Sequence, residues 1–331
     1  ADVQGSMTNG SEITDGVYGN DQNFKSDAIL GIGTDAEGEV FNVAGTFTNH
    51  GLLDASKVEN TTVSGSITND GQANYVDMTI AEGGVSTNIG YEHGEDLVIA
   101  AGGGHTNTGT SIWNTADVQG SMTNGSEITD GIFGNDTENF KSDAILGIGT
   151  DAEGEVFNVA GTFTNHGLLD ASKVENTTVS GSITNDGQAN YVDMTIAEGG
   201  VSTNIGYEHG EDLVIAAGGE HTNTGTSIWN TADVQGSMTN GSEITDGIYG
   251  NDTENFESDA ILGVGTDETD DVYNIAGTMD NHGIVDATKA ETTNVSGELT
   301  NDGQALYDDM TVTGSSENIG YEKGDILTVA N

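Results

Sequence analysis

The chain has no cysteine and no proline, and its 6 basic residues are all lysine. Without Cys there is no disulfide framework, and the redox compartment is left unfixed by this residue. Without Arg, and with 55 Asp and Glu giving a net charge of −49, simple binding to nucleic-acid phosphates or to anionic membranes is excluded, since both need basic side chains. No apolar run approaches the roughly 20 residues that span a bilayer, so no direct membrane insertion is expected. Aromatics are only 6% and hydrophobic residues 34%, thin for an ordinary globular core. No signal segment is seen, and the chain begins at Ala1 rather than Met, which reads as a mature, processed chain or an excised fragment.

What is present is repetition. The string ADVQGSMTNGSEITDG at Ala1 recurs at Ala116 and again at Ala232. This divides the chain into three tandem copies of about 115 residues: 1–115, 116–231 and 232–331, the last diverged and truncated. Copies one and two are nearly identical. In copy three Phe163 becomes Met279, Val159 becomes Ile275, and Leu168-Leu169 becomes Ile284-Val285. Apolar stays apolar at these positions, which marks them as inward-facing.

A finer period lies inside each copy. Asn, usually after Thr, is followed within two residues by Gly at Asn9, Asn49, Asn69, Asn88 and Asn107, then at Asn124, Asn165, Asn185, Asn204 and Asn223, and finally at Asn240, Asn281, Asn301 and Asn318. The first spacings are 40, 20, 19, 19 and 17. Taking the gap of 40 as two turns gives six turns per copy and about 17 in the chain. Before each Asn, apolar residues alternate, as in Val43-Ala-Gly-Thr-Phe47-Thr-Asn49 and Val63-Ser-Gly-Ser-Ile67-Thr-Asn69. That is strand spacing. Asn tolerates left-handed geometry and Gly supplies positive φ, so the Asn-Gly step is corner chemistry. An all-β parallel β-solenoid with turns of about 19 residues follows. At ~4.8 Å per turn it would make a rod on the order of 80 Å long. Stacked corner Asn would form a hydrogen-bonded ladder, and the lack of Pro leaves every backbone N–H free to pair.

The V-x-G-x-[MFI]-T-N-x-G turns resemble the stacked repeats of bacterial surface proteins, namely autotransporter passenger domains and filamentous-haemagglutinin-type adhesins. The resemblance covers most of each copy as a pattern of turns. It implies a β-helix exposed outside the cell, hence an extracellular or cell-surface location, and it carries no functional residues.

Dense carboxylates are the first candidate chemistry. Asp35, Glu37 and Glu39 recur as Asp151, Glu153 and Glu155, and oxygen ligands at such spacing suit Ca²⁺; the same holds for Glu92, Glu95 and Asp96, and for Asp267, Glu268, Asp270 and Asp271. Neither EF-hand spacing nor a Ca²⁺ nonapeptide array occurs, so the competing reading is a solvated acidic face. The His residues, among them His50, His105, His166, His221 and His282, lack zinc-type spacing and are read as turn residues. Catalysis is not expected, because a catalytic cleft needs one asymmetric constellation, whereas nearly every Asp, Glu and His of copy one reappears in copy two. Thr46/Thr48 and Thr106/Thr108/Thr110 hint at a flat Thr array of the ice-binding kind, but Thr is mixed with Asn, Asp and Glu. Trp113, Trp229, Tyr75, Tyr91, Tyr191 and Tyr207 either plug the core or mediate lateral contacts.

The expected role is therefore structural and non-enzymatic: a self-assembling subunit of an extracellular filament, sheath or surface layer, with itself as partner. The alternative is the stalk of a bacterial adhesin, and a weaker one is a Ca²⁺-dependent binding module. A homopolymer so acidic would need cation bridging or high ionic strength to screen its charge.

Overall fold

A computed structural model describes residues 1–10, 28–34, 39–125, 144–149, 155–241, 260–265 and 271–330. The chain is a parallel β-solenoid, with no helix among the described residues. It forms two compact units, Ala1–Val174 and Glu175–Asn331.

One turn of the first unit shows how sequence becomes fold. Ser66–Asn69 is a four-residue strand. The chain then rounds the Asp70-Gly71 corner and runs through Gln72–Asn74 and Asp77–Ile80 before the next corner at residues 81–84. Val85–Asn88 stacks on Ser66–Asn69 in parallel, in perfect register, with Asn88 over Asn69. Two faces result: one of four-residue strands ending in Asn, and one of longer, bent strands such as Tyr91–Ile99 and Thr110–Val118. Alternate side chains point inward, so Ile67, Ala73, Tyr75, Met78 and Ile80 of this turn are all buried. A few apolar residues per turn suffice because the turns above and below cover them. Gly fits the corner for lack of room: a Cβ on Gly71 would lie 2.1 Å from the carbonyl oxygen of Gly51 in the turn below.

The long gaps are not two turns each. Ser6–Asn9 pairs directly with Thr46–Asn49, and Ser121–Asn124 with Thr162–Asn165. In the second unit Ser237–Asn240 pairs directly with Thr278–Asn281. The SDAILG segment is not an extra rung either. Ile29–Gly31 is the strand that follows the corner, stacked on Leu52–Asp54. The described strands on either side of each long gap stay in register. Among the described residues each unit therefore has seven Asn-terminated strands, and the solenoid has about 13 turns rather than 17.

The second unit repeats this arrangement with a different core near its end. Where copies one and two have Phe41 and Phe157, copy three has Tyr273. Its hydroxyl is buried without a hydrogen-bond partner among the described residues, as is that of Thr293. Both line a small cavity with Val285, Leu299 and Tyr307, and burial pushes the Tyr273 phenol pKa up. A buried, unpaired hydroxyl costs about 1–3 kcal/mol. Tyr273→Phe is accordingly expected to stabilise the chain by about 1 kcal/mol, read as a higher denaturation midpoint; an unchanged or lower midpoint would show that the hydroxyl is satisfied.

Candidate functional site

The Asn corners form the most regular polar structure. In the first unit the amide nitrogen of each Asn donates to the side-chain oxygen of the Asn one turn on: Asn9 to Asn49, Asn49 to Asn69, Asn69 to Asn88, Asn88 to Asn107, Asn107 to Asn124 and Asn124 to Asn165, at 2.7–2.8 Å. The second hydrogen of each goes to a backbone carbonyl past the next corner, as from Asn69 to Tyr91 O and from Asn88 to Thr110 O, both 2.9 Å. Within the second unit the same ladder pattern runs from Asn185 through Asn204, Asn223, Asn240, Asn281 and Asn301 to Asn318. Most of these side chains are fully buried. A buried amide tied on both sides satisfies itself and the corner backbone at once.

A second polar group is hidden in the core, once in each unit. Glu92 and His105 are buried, with His105 Nε2 3.1 Å from Glu92 Oε1. The nitrogen does not aim its N–H along that line, and both ring nitrogens lack an aligned hydrogen bond. The contact is a close approach rather than a directed hydrogen bond. Ser111 Oγ donates to Glu92 Oε1 at 2.7 Å, and Trp113 Nε1 donates to Ser111 Oγ at 2.8 Å. Trp113 stacks on Tyr75 with ring centroids 6.0 Å apart and planes 14° from parallel. Burial, then the Glu92 carboxylate, raises the Tyr75 pKa. Glu208, His221, Ser227, Trp229 and Tyr191 repeat the arrangement in the second unit.

The Trp needs space that only Gly leaves. A Cβ on Gly94 would fall 2.2 Å from Trp113 Cζ3. Overpacking of this kind costs about 1–3 kcal/mol. Gly94→Ala should lower the melting temperature and alter the near-ultraviolet signal of Trp113; retention of both would mean that the ring has another place to go.

Residue type alone does not single out this cluster. His105 and His221, expected at turns, and Glu92, expected in an acidic surface group, all face inward. The signal lies in the alternation. His105 stands two residues before Asn107, the place that Phe47 and Ile67 take before their own Asn, and both of those are buried. His50 does lie at a corner, its Nδ1 2.6–2.7 Å from the Asp70 carboxylate, and His282 meets Asp302 at 2.7 Å. Trp113, Trp229, Tyr75 and Tyr191 fill the core, whereas Tyr91 is exposed.

Of the calcium candidates, Asp35, Glu37, Asp151 and Glu153 lie outside the described residues, as do Asp267, Glu268 and Asp270. Glu39 accepts hydrogen bonds from Thr34, including one of 2.8 Å from its hydroxyl. Glu155 is buried. Among the described residues no three acidic or His side chains converge as a metal site would require. Carboxylates do stack on the outer side of the face opposite the Asn-terminated strands. Asp77 lies beside Asp96, and Thr115 donates to Asp96 at 2.7 Å. Partial burial first, and then the neighbouring Asp96, raise the Asp77 pKa; Asp193 beside Asp212 behaves alike.

Comparison with protein-family models, with curated proteins and with solved structures finds no match to this chain.

Proposed function

We propose that this chain is a non-enzymatic structural protein of the cell exterior, a self-assembling subunit of a filament, sheath or surface layer. The observation that carries this reading is the interchangeability of the turns. Strands from the start and the end of a copy stack by one rule, in register and with Asn on Asn, as Gly104–Asn107 does on Ser121–Asn124. A surface that accepts any turn of its own kind is a surface on which copies of the chain can propagate. The polar groups most like catalytic ones, Glu92 and His105, are walled inside the core and serve packing.

Electron microscopy of the purified chain, with sedimentation velocity over a range of concentrations, tests the proposal. Ordered polymers of this chain alone are expected. A monodisperse, unassociated particle under all conditions would overturn the reading in favour of an adhesin stalk. With a charge of −49, cation bridging or screening is needed for copies to approach. Chelation of divalent ions at low ionic strength should therefore loosen the polymer, and polymer unchanged by both treatments would refute the electrostatic part.

A further inference from the structure

We propose that the face of Asn-terminated strands in the first unit is a lateral contact surface for the same face of a second copy. The inference deepens the self-assembly reading above and rests on it.

Charge is segregated between the two faces of this unit. Its seven strands, from Ser6–Asn9 to Thr162–Asn165, read SMTN, TFTN, SITN, VSTN, GHTN, SMTN and TFTN. The second and fourth residues form the inward rows. The first and third point outward, and the third is Thr in every strand. Strict register puts these Thr side chains directly above one another. The first position is Ser, Thr, Val or Gly. No outward position of this face is charged, in a chain where 55 of 331 residues are acidic. The strands of the other face of the same unit carry Asp2, Asp54, Asp77, Asp96, Asp117 and Asp170 among their exposed or half-exposed positions.

Two copies that each carry −49 meet at least cost where no carboxylate faces another. Like charges set opposite each other in an interface cost several kcal/mol, and this face avoids that cost. Its side chains are short and uniform, spaced ~4.8 Å along the stack and roughly 7 Å along each strand. An identical face offers the same spacing, so hydroxyls and methyls can interdigitate as they do in dry pairs of sheets. No aromatic ring stands at an outward position on these strands, which leaves nothing for a sugar to stack on; a second copy is the favoured occupant. The face measures roughly 30 by 13 Å, about half of the ~800 Å² per partner that a stable pair buries. One such contact is weak and reversible, and it gains strength by repetition in an assembly.

The second unit supplies the test. At matching positions of its strands it carries Glu220, Asp280, Glu298 and Glu317, and it folds with the same pairing. The corresponding first-unit changes are Gly104→Glu, Thr48→Asp, Ser66→Glu and Thr87→Glu. A full-length chain with all four should therefore keep its strand content and melting temperature. Self-association is measured by sedimentation at about 0.5 M NaCl with chelator, where screening is strong and cation bridging is removed. The wild-type chain is expected to associate, and the fourfold variant to associate at least about 100-fold more weakly. Because the chain lacks Cys, a separate Ser66→Cys variant carries one thiol and should form disulfide-linked dimers on oxidation.

Association of the fourfold variant equal to wild type, with no Ser66→Cys dimer, would overturn this surface while leaving self-assembly intact. Absence of wild-type association in any condition would overturn both. Retention of unassociated wild-type chain on crystalline cellulose or on ice, lost in the fourfold variant, would assign the face to a hydroxyl-ordered surface and overturn the second copy as its occupant.

Discussion

Asn88→Asp is expected to destabilise the chain by about 3–5 kcal/mol at neutral pH, far more than the loss of one hydrogen bond. Asn88 is fully buried. Its side-chain oxygen accepts from Asn69, and its nitrogen donates to Asn107 Oδ1 at 2.8 Å and to Thr110 O at 2.9 Å. A carboxylate keeps the first contact and reverses the other two, setting a desolvated anion against two acceptors. Asn88→Ala removes the same bonds without adding charge, and should cost about 2–3 kcal/mol with little pH dependence. The Asp variant responds to pH. Burial against acceptors raises its pKa in the folded state above the unfolded value of about 3.9. The penalty is thus absent below the unfolded pKa and grows as pH rises through the folded one. Denaturant titrations of both variants from about pH 4 to 8 distinguish them. An Asp variant no less stable than the Ala variant at neutral pH would show that the ladder tolerates a charge and that its corners do not depend on the amide as a donor.

That ladder is legible in the sequence because its signal is positional. Thr-Asn-x-Gly recurs at nearly the length of a turn, and apolar residues alternate before each Asn, so fold, corner and inward Asn follow from one pattern. The turn count is not legible. A spacing of 40 residues between Asn9 and Asn49 does not by itself count turns, and only the direct pairing of their strands makes them neighbours in the stack. The buried cluster escapes for a different reason. Glu and His are expected at the surface by residue type, and that expectation competes with the alternation that places Glu92 and His105 inside. The neutral face is half visible. Thr48 and Thr106 stand out in the sequence, but the absence of acids around them emerges only once outward positions are separated from inward ones.

The Glu92–His105 pair is also where a single deletion should be severe and a double replacement mild. Removing one partner of a buried pair leaves the other uncompensated in a low-dielectric core, at about 3–5 kcal/mol. Glu92→Ala should cost about that much, since it also strips Ser111 Oγ of its acceptor and opens a cavity beside Trp113. Replacing both residues by apolar ones of similar volume, Glu92→Met with His105→Leu, removes both polar groups together and should recover most of the loss. His221 and Glu208 remain in the second unit, so the effect belongs to the first. Denaturant unfolding followed by Trp fluorescence, with Trp229→Phe to isolate Trp113, measures each corner of the cycle. A coupling between the two sites of at least about 2 kcal/mol is expected for residues in direct contact. Strict additivity would mean that the 3.1 Å approach of His105 to Glu92 carries no energy, and that the pair is held in place by packing around Trp113 alone.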